Sequence, residues 1–392
     1  MAIDQGHYEG RPQALVKHTF LNEYLPALAN KVCSSWDSFV YVDGFAGPWQ
    51  AVDEQTFADT SFGIALKAMA EAQKFQKDTR NRTVRMVAHL VEKDETPFAQ
   101  LRGLTDRFPT IEVQTYQGEF QTHLPSILSA MEPQAFCFSF IDPKGISLDL
   151  AMLRPLLSRS SSEVLVNFMF DFVNRFVSHP NPSIIDTMNR LIPGADWRNL
   201  LDVAKATGAP SDAREGILVD GFRSALRTVG HYDHVTSLVV QKPLADRTLY
   251  HLVFGTRSRD GLRVFRDSQI KALVAQADVR ASGKSKAKAE RSGQSDLFSG
   301  ADTVPLDPSS REIADGKAKA IVYAKEVIMA HREGIKWSTL WPKILEGFTV
   351  RRTDLGNAMN ELRKLGEIDA PGWPSELHRQ PQDAQLFKPT AN

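Results

Sequence analysis

Apolar residues follow two periods along the chain, and these periods alternate from residue 38 onward. Short β-rich runs, apolar at nearly every position, are separated by longer stretches with apolar residues three and four positions apart. This alternation predicts a parallel sheet covered by helices. The predicted strands are residues 39–44, 85–94, 110–116, 135–145 and 162–170, and the predicted helices between them are residues 61–75, 96–108 and 120–131.

The region after the fifth predicted strand is mostly helical up to residue 230. A β-hairpin is expected over residues 234–257, where two strand-like runs flank the turn-forming KPLADR. A hairpin at the end of a parallel sheet leaves one strand antiparallel. The sequence therefore predicts an α/β fold with a doubly wound, seven-stranded Rossmann-like sheet, in the order of class I S-adenosylmethionine (SAM) methyltransferases.

Composition changes after a helix predicted over about residues 260–280. The stretch 283–310 is rich in Ser, Gly, Lys and Asp and poor in aliphatic residues, which indicates a flexible linker. Three helices and an extended tail follow, a pattern that resembles a winged helix-turn-helix. The predicted division is residues 1–281 for the methyltransferase-like domain, 282–310 for the linker and 311–392 for the winged helix-turn-helix domain.

Charge and cysteine content narrow the classes of function. The 47 basic residues balance the 47 acidic ones, which argues against nucleic-acid binding by bulk charge but leaves a local basic face open. Cys33 and Cys137 are the only cysteines and belong to no metal-binding motif, so we expect neither a disulfide framework nor a zinc site. The N-terminal residues lack the apolar region of a signal peptide, and no run approaches a membrane span, so we expect a cytoplasmic protein.

Four loops follow predicted strands at the edge where open α/β sheets bind ligands. In the first loop, YVDGFAGPW, an acid ends a buried strand and small residues follow it. The acid is a candidate acceptor for the amino group of SAM, while the glycines would admit its methionine part; a turn without further purpose is the alternative. The candidate residues are Asp43, Gly44, Phe45, Ala46 and Gly47.

The second and third loops offer acids for the ribose and the adenine of the cofactor. Glu92, directly after an apolar run and beside Lys93, is our candidate acceptor for both ribose hydroxyls. Glu119 would accept a hydrogen bond from the adenine amino group, and Phe120 would pack on the adenine ring. A solvated charge cluster and a helix cap are the alternative interpretations of these acids.

The fourth loop, FIDPKG, gives the most specific signal, because a carboxylate after a fully apolar strand is costly to bury without a partner. In methyltransferases that act on planar nitrogens, an Asp or Asn before Pro accepts hydrogen bonds from the target amine and directs its lone pair toward the methyl group. Lys144 stands where adenine- and cytosine-modifying enzymes usually carry an aromatic residue, which argues against adenine as the target. The candidate catalytic residues are Asp142, Pro143, Lys144 and Gly145.

With these loops in view, the chain resembles the three-Cys-motif partner protein family, bacterial proteins with a class I methyltransferase-like domain. The resemblance rests on YVDGFAGPW, LVEKDE, FSFIDPKG, NFMFDFVNRF and YHLVFGTRSRDGLRVFRD, within residues 15–275. It implies the fold and a radical-SAM-like three-Cys-motif protein as partner more than it implies a reaction. In NFMFDFVNRF, Asn174 and Arg175 are candidates for contact with substrate or phosphate, and a polar helix start is the equal alternative.

Two further segments suggest partners. QSDLF in the predicted linker resembles the peptide that docks bacterial replication and repair proteins on the sliding clamp, with Gln294 as anchor and Leu297 and Phe298 filling an apolar pocket.

Basic residues also concentrate around the third helix of the predicted winged helix-turn-helix, which would be its recognition helix. Contact with phosphate requires such a distribution, although winged helices also use this helix for protein contacts. These basic residues are Arg351, Arg352, Arg363 and Lys364.

The sequence thus predicts a SAM-dependent methyltransferase that acts on DNA or RNA, at an exocyclic amine. One alternative is a catalytically silent partner protein that binds nucleic acid and keeps the SAM-binding fold. Another is a methyltransferase for proteins or small molecules whose winged helix serves dimerisation.

Overall fold

The structure is a computed structural model that describes residues 5–8, 11–47, 51–53, 57–194, 196–292, 307–374 and 380–390. It divides the chain into two compact units, Met1–Ser258 and Arg259–Asn392. The proposed clamp-binding residues Gln294, Leu297 and Phe298 lie outside the described residues. Within the described ranges, no helix combines the length and the apolarity that crossing a membrane requires.

A seven-stranded sheet forms the centre of the first unit, in the order β3-β2-β1-β4-β5-β7-β6. The first five strands are parallel, whereas β7 runs antiparallel beside β5 and forms a hairpin with β6. The strands are β1 Ser38–Asp43, β2 Arg85–Glu92, β3 Glu112–Gln117, β4 Phe136–Ile141, β5 Ser162–Phe168, β6 His234–Gln241 and β7 Thr248–Thr256. The predicted doubly wound sheet is confirmed, and its order is that of class I methyltransferases.

The central strands β1 and β4 are buried at every position, because helices cover both faces of the sheet. Their pairing is in register at the carboxyl end, where Asp43 lies opposite Phe140 of β4 and Leu90 of β2. The loops that follow these strands therefore start side by side at one edge of the sheet.

Ten helices of the first unit surround this sheet in the described residues. They are α1 Pro12–Cys33, α2 Ser61–Arg80, α3 Glu95–Leu101, α4 Leu104–Arg107, α5 Phe120–Ala130, α6 Arg154–Leu157, α7 Phe170–Phe176, α8 Pro182–Leu191, α9 Trp197–Ala206 and α10 Ser211–Gly230, and a 3₁₀ turn at Gln5–Tyr8 precedes them. The prediction of mostly helical structure between residues 171 and 230 is confirmed.

Helix α1 was not predicted, although the sequence carries its signals. Pro12 occupies the first helical position, and buried residues such as Leu21, Tyr24, Leu25 and Leu28 recur three and four positions apart. This helix matters for function because it supplies one wall of the candidate site.

The second unit contains four helices and a small sheet among its described residues. The elements are α11 Arg259–Ser292, α12 Pro308–Ala330, β8 Ile335–Lys336, α13 Trp337–Gly347, α14 Arg352–Lys364 and β9 Leu386–Phe387. β8 pairs antiparallel with β9, and an isolated bridge joins Asp369 to Lys388. The core includes the fully buried Trp337, Leu340 and Ile344.

Helix α11 begins where the sequence predicted it, but it differs from the prediction in the unit to which it belongs and in where it ends. It belongs to the second unit, because Leu262 joins that unit's core and Arg266 donates hydrogen bonds to the carbonyl oxygens of Leu345 and Glu346. It also continues to Ser292, into the range for which composition predicted a flexible linker. The segment KSKAKAERS lacks large apolar residues but is rich in Lys and Ala, which have high helix propensity, so the helix continues through it.

Candidate functional site

A cavity of about 740 Å³ opens at the carboxyl edge of the first unit's sheet. The loops after β1, β2, β3 and β4 form part of its wall, and α1, β5 and β7 complete it. This is the edge at which open α/β sheets bind ligands. The candidate residues from the sequence that line the cavity are Gly44, Phe45, Gly47, Glu92, Lys93, Glu119, Phe120, Asp142, Pro143 and Lys144.

The Asp43 carboxylate lies behind the first loop and is not among the described residues that line the cavity. It is fully buried and accepts hydrogen bonds from the amide of Phe45 at 3.0 Å, the hydroxyl of Ser61 at 2.8 Å and the hydroxyl of Tyr41 at 3.0 Å. Ala46 is also buried behind the wall, where its amide donates to a carbonyl of β2. The carboxylate predicted to contact a ligand is instead engaged in shaping the loop.

Gly44 is explained by a contact within the protein. A Cβ at this position would lie 2.8 Å from Cδ1 of Phe120, the first residue of α5. Phe120 is buried, and its ring centroid lies 6.1 Å from that of Phe45. The missing side chain thus lets α5 pack on the first loop, and the two aromatic rings form an apolar part of the cavity wall.

Glu92 is the most buried carboxylate that the second loop contributes to the wall, at 4% exposure. Its Oε1 accepts a hydrogen bond from the amide of Asp94 at 2.7 Å, which orients the carboxylate. An acid at this strand end is the residue type that binds ribose hydroxyls in dinucleotide-binding folds. Farther out, Lys93 and Glu119 are exposed and form an ion pair of 2.6 Å.

Asp142 is the centre of a cluster that joins three elements of the first unit. Its Oδ2 accepts a hydrogen bond from the ammonium of Lys17 in α1 at 2.6 Å. Its Oδ1 accepts one from Nδ2 of Asn167 in β5 at 2.5 Å. We refer to Lys17, Asp142 and Asn167 as the Asp142 cluster. Its two donors offset the cost of placing this carboxylate in the wall.

Lys144 and Gly145 complete the fourth loop. Gly145 has a φ of 92°, in the left-handed region that glycine adopts without strain, so the chain turns directly after Lys144. Burial lowers the pKa of Lys144, and the charges of Glu92, Asp94 and Asp142 oppose that effect. Lys144 therefore interacts electrostatically with the acids of both the second and the fourth loop.

The cavity wall is nearly balanced in charge, with five carboxylates and four cationic side chains among the described residues. His18 adds no charge at neutral pH, because burial lowers its pKa well below the ordinary value. The small acidic excess favours a ligand that carries a positive charge. The charged residues are Arg11, Lys17, Lys93, Lys144, Asp59, Glu92, Asp94, Glu119 and Asp142.

Residues that the sequence did not single out form the remainder of the site. α1 contributes Lys17, and the buried Arg11 directly before it pairs with the buried Asp59, which also accepts the amides of Val52 at 2.8 Å and Asp53 at 3.3 Å. The helical period of α1 was visible in the sequence. The partners were not, because Lys17 and Asp142 are 125 positions apart.

Asn174 and Arg175 lie on α7 and are exposed, and neither is among the described residues that line the cavity. Arg175 pairs with Asp171 at 2.6 Å and stacks over Phe172 at 4.6 Å. The structure therefore does not bring these two candidates together with the other site residues.

The four basic candidates of the second unit have different surroundings. Arg351 and Lys364 are exposed and pair with Asp354 and Glu361 on α14. Arg352 pairs with Asp383 at 2.9 Å, and Arg363 donates to the carbonyl oxygen of Trp373 at 2.6 Å. Arg363 thus ties α14 to the segment after it, whereas Arg351 and Lys364 have the greater exposure of the four.

Removing the Lys17 ammonium is expected to lower the free energy of unfolding by about 2 kcal/mol. Breaking a buried ion pair costs more than this, but side-chain exposures of 17% and 19% reduce the penalty. The measurement is urea unfolding of Lys17→Met. The double variant Lys17→Met/Asp142→Asn should recover more than half of the loss, because no unpaired charge remains. Lys77→Met, an exposed position on α2, is the control; an equal loss there would contradict the role of the pair.

Comparison with known proteins adds only weak similarities. No protein-family model and no curated protein matches the sequence. Similar solved structures include the O-methyltransferase from Bacillus cereus in complex with SAH, which is 14% identical with a TM-score of 0.29 over 60% of this chain and 80% of that chain. Loganic acid methyltransferase with SAH is 9% identical with a TM-score of 0.29 over 74% and 92% of the two chains, and PKMT2 from Rickettsia typhi is 9% identical with a TM-score of 0.27 over 62% and 56%.

Such similarities support no statement about activity, and the methyltransferase-like fold rests on the strand order itself. Membership of the three-Cys-motif partner family stays a prediction.

Proposed function

We propose that the chain binds SAM in the 740 Å³ cavity and acts as a SAM-dependent methyltransferase. The observation that carries the proposal is the buried Glu92 carboxylate on the wall, at the end of β2 in a sheet of methyltransferase order. The volume lies in the range of cofactor sites. The acidic excess of the wall suits the positive charge of a sulfonium.

The wall offers a partner for each part of this cofactor. Glu92 would accept the ribose hydroxyls, and Glu119, beside Lys93, would accept the adenine amino group. Gly47 would leave room for the methionine part, whereas the space beside Gly44 is occupied by the ring of Phe120. Asp43 would act indirectly, because its hydrogen bond to the Phe45 amide holds the loop in place.

Bound SAM would supply an electrophilic methyl group: the acceptor's lone pair would bond to that carbon as the carbon–sulfur bond breaks, and the bond's electron pair would go to sulfur. An amine acceptor would then release one N–H proton to water. The protein's part is to orient the acceptor, which accounts for much of the rate of such displacements. Asp142 and the turn at Gly145 are the groups that would orient it, since both lie at the end of the central strand β4.

We extend the proposal to nucleic acid as the methyl acceptor, at an exocyclic amine. The order of α12, β8, α13, α14 and β9 in the second unit is the order of a winged helix, with α14 as recognition helix. Arg351 and Lys364 would contact phosphate in place of the ion pairs that they form here.

A radical-SAM-like three-Cys-motif protein is the proposed protein partner. This part of the proposal rests only on the resemblance of the sequence to the three-Cys-motif partner protein family.

Isothermal titration calorimetry with SAM tests the cofactor assignment. Wild type should bind one equivalent, and Glu92→Gln should weaken the affinity by roughly 10- to 100-fold, because a charged acceptor of two hydroxyls becomes neutral. Glu95→Gln is the matched control, since Glu95 is exposed three residues later and does not line the cavity. No binding by wild type, or equal affinities for all three proteins, would remove the basis of the proposal.

A binding-only role is the second candidate. It is favoured by the Asp142 cluster, in which both carboxylate oxygens already accept hydrogen bonds from Lys17 and Asn167. Incubation with SAM radiolabelled in its methyl group and mixed DNA, tRNA and rRNA distinguishes the two. Bound SAM without transfer to any of these would support the silent protein.

A further inference from the structure

We propose that Asn167 is the binding residue for the methyl acceptor and that it selects a planar amine as substrate. This inference rests on the proposed function. Asn167 was not among the candidates from the sequence, and its side chain carries an unsatisfied hydrogen-bond acceptor in the cavity wall.

The first observation is burial without a partner. Asn167 is 5% exposed and lines the cavity, and its Oδ1 receives no hydrogen bond within the described part of the chain. A buried acceptor of this kind is costly to leave unpaired. A donor from a ligand in the cavity would satisfy it.

The second observation fixes which end of the amide is free. The opposite end, Nδ2, donates to Oδ1 of Asp142, and the ammonium of Lys17 donates to Oδ2 of the same carboxylate. An ionised carboxylate only accepts hydrogen bonds, so the amide must present its nitrogen to Asp142. Its oxygen is therefore the group left for the ligand, and that ligand must supply an N–H or O–H donor.

Asn167 lies away from the end of the cavity that is proposed to hold the cofactor. Asn167 lies on β5 and Glu92 at the end of β2, and the order β2-β1-β4-β5 puts two strands between them. With strands about 4.8 Å apart, the two side chains belong to regions of the wall about 14 Å apart. A ligand whose ribose binds Glu92 leaves the β5 end for a second molecule.

A planar amine fits this end better than a hydroxyl. Asp142 neighbours Asn167, and each of its oxygens keeps acceptor capacity beyond the one hydrogen bond that it receives here. An exocyclic NH₂ has two N–H donors in one plane, one for Asn167 Oδ1 and one for Asp142. A hydroxyl has one donor and would leave one acceptor unmet. Lys17 is then a positioning residue, because it holds the carboxylate that orients the amide.

Two readouts test the assignment, with Asn167→Ala as the variant. Calorimetry should give a SAM affinity within about twofold of wild type, since Asn167 belongs to the acceptor end. Methyl transfer to mixed DNA, tRNA and rRNA should fall by about 30-fold in kcat/KM. Asn199→Ala, an exposed asparagine on α9 outside the cavity, should leave both unchanged. Transfer by Asn167→Ala at the wild-type rate would overturn the inference, as would a tenfold weaker affinity for SAM.

A third readout, the binding of nucleosides, does not require turnover. Protein saturated with SAH is titrated with three pairs of nucleosides that differ in the exocyclic amine alone: guanosine and inosine, adenosine and purine riboside, cytidine and 2-pyrimidinone riboside. In at least one pair the amine should strengthen binding by tenfold or more, and Asn167→Ala should abolish that difference. If no pair shows a difference, the inference is wrong even when SAM binds. Failure of wild type to bind SAM appears before any acceptor is added, and would instead remove the proposed function.

Discussion

The stability difference between Asp43→Asn and wild type is expected to change by about 2.4 kcal/mol between pH 4 and pH 7, in favour of the variant at the higher pH. Burial raises the pKa of Asp43 from 3.8 to about 6, against the opposing effect of its hydrogen bonds from Phe45, Ser61 and Tyr41. The folded protein therefore holds a proton in a range where the unfolded chain has released it.

The direction follows from this proton. The contribution of Asp43 is fully present below the unfolded pKa of 3.8 and is lost as the pH rises through about 6. Asparagine cannot ionise, so the variant does not lose stability in this range from residue 43. Glu163, whose pKa burial also raises to about 6, keeps its own dependence in both proteins and cancels in the difference.

Urea unfolding at half-unit steps of pH measures the effect. Asp78→Asn removes an exposed carboxylate on α2, and its difference from wild type should stay within about 0.5 kcal/mol across the range. A constant difference for Asp43→Asn would mean that the carboxylate is not held in the buried environment described here.

The fold could be predicted because its signals are local and repeated. A strand such as FCFSFI in β4 is apolar throughout, and a sheet covered on both faces requires that pattern. The strand ends then placed Glu92 and Asp142 at one edge, where the cavity is found. The composition at the end of α11 was misleading, because stretches that are rich in Lys, Ala and Ser occur both in helices and in flexible linkers.

The partners of the site residues could not be predicted, because they depend on contacts between distant segments. Nothing near Asp43 in the sequence indicates that Ser61 would occupy its carboxylate, 18 positions later. Asn167 lies within an apolar strand and could only be recognised once its amide was seen beside Asp142, 25 positions away. Sequence thus locates the site, whereas the chemistry of each group depends on the pairing.

Gly63→Ala is expected to have the largest effect on stability, a loss of about 4 kcal/mol. A Cβ on Gly63 would lie 1.9 Å from the carbonyl oxygen of Phe57, a backbone atom that cannot rotate away. Phe57 already has a left-handed φ of 53°, and the Thr60 hydroxyl both donates to its carbonyl and accepts the Gly63 amide. The added methyl must therefore displace the whole turn before α2.

That turn carries Asp59, Thr60 and Ser61, which line the cavity, so the same substitution should weaken SAM binding by tenfold or more at a temperature where the variant stays folded. Gly216→Ala is a matched control: it lies inside helix α10, and a Cβ there meets no atom within 4 Å. It should raise stability by roughly 0.5–1 kcal/mol, as alanine does in place of glycine within a helix. Urea unfolding and calorimetry could instead find that Gly63→Ala is as stable as Gly216→Ala and binds SAM as tightly. The turn would then not pack against α2 as described, and this part of the cavity wall would be wrong.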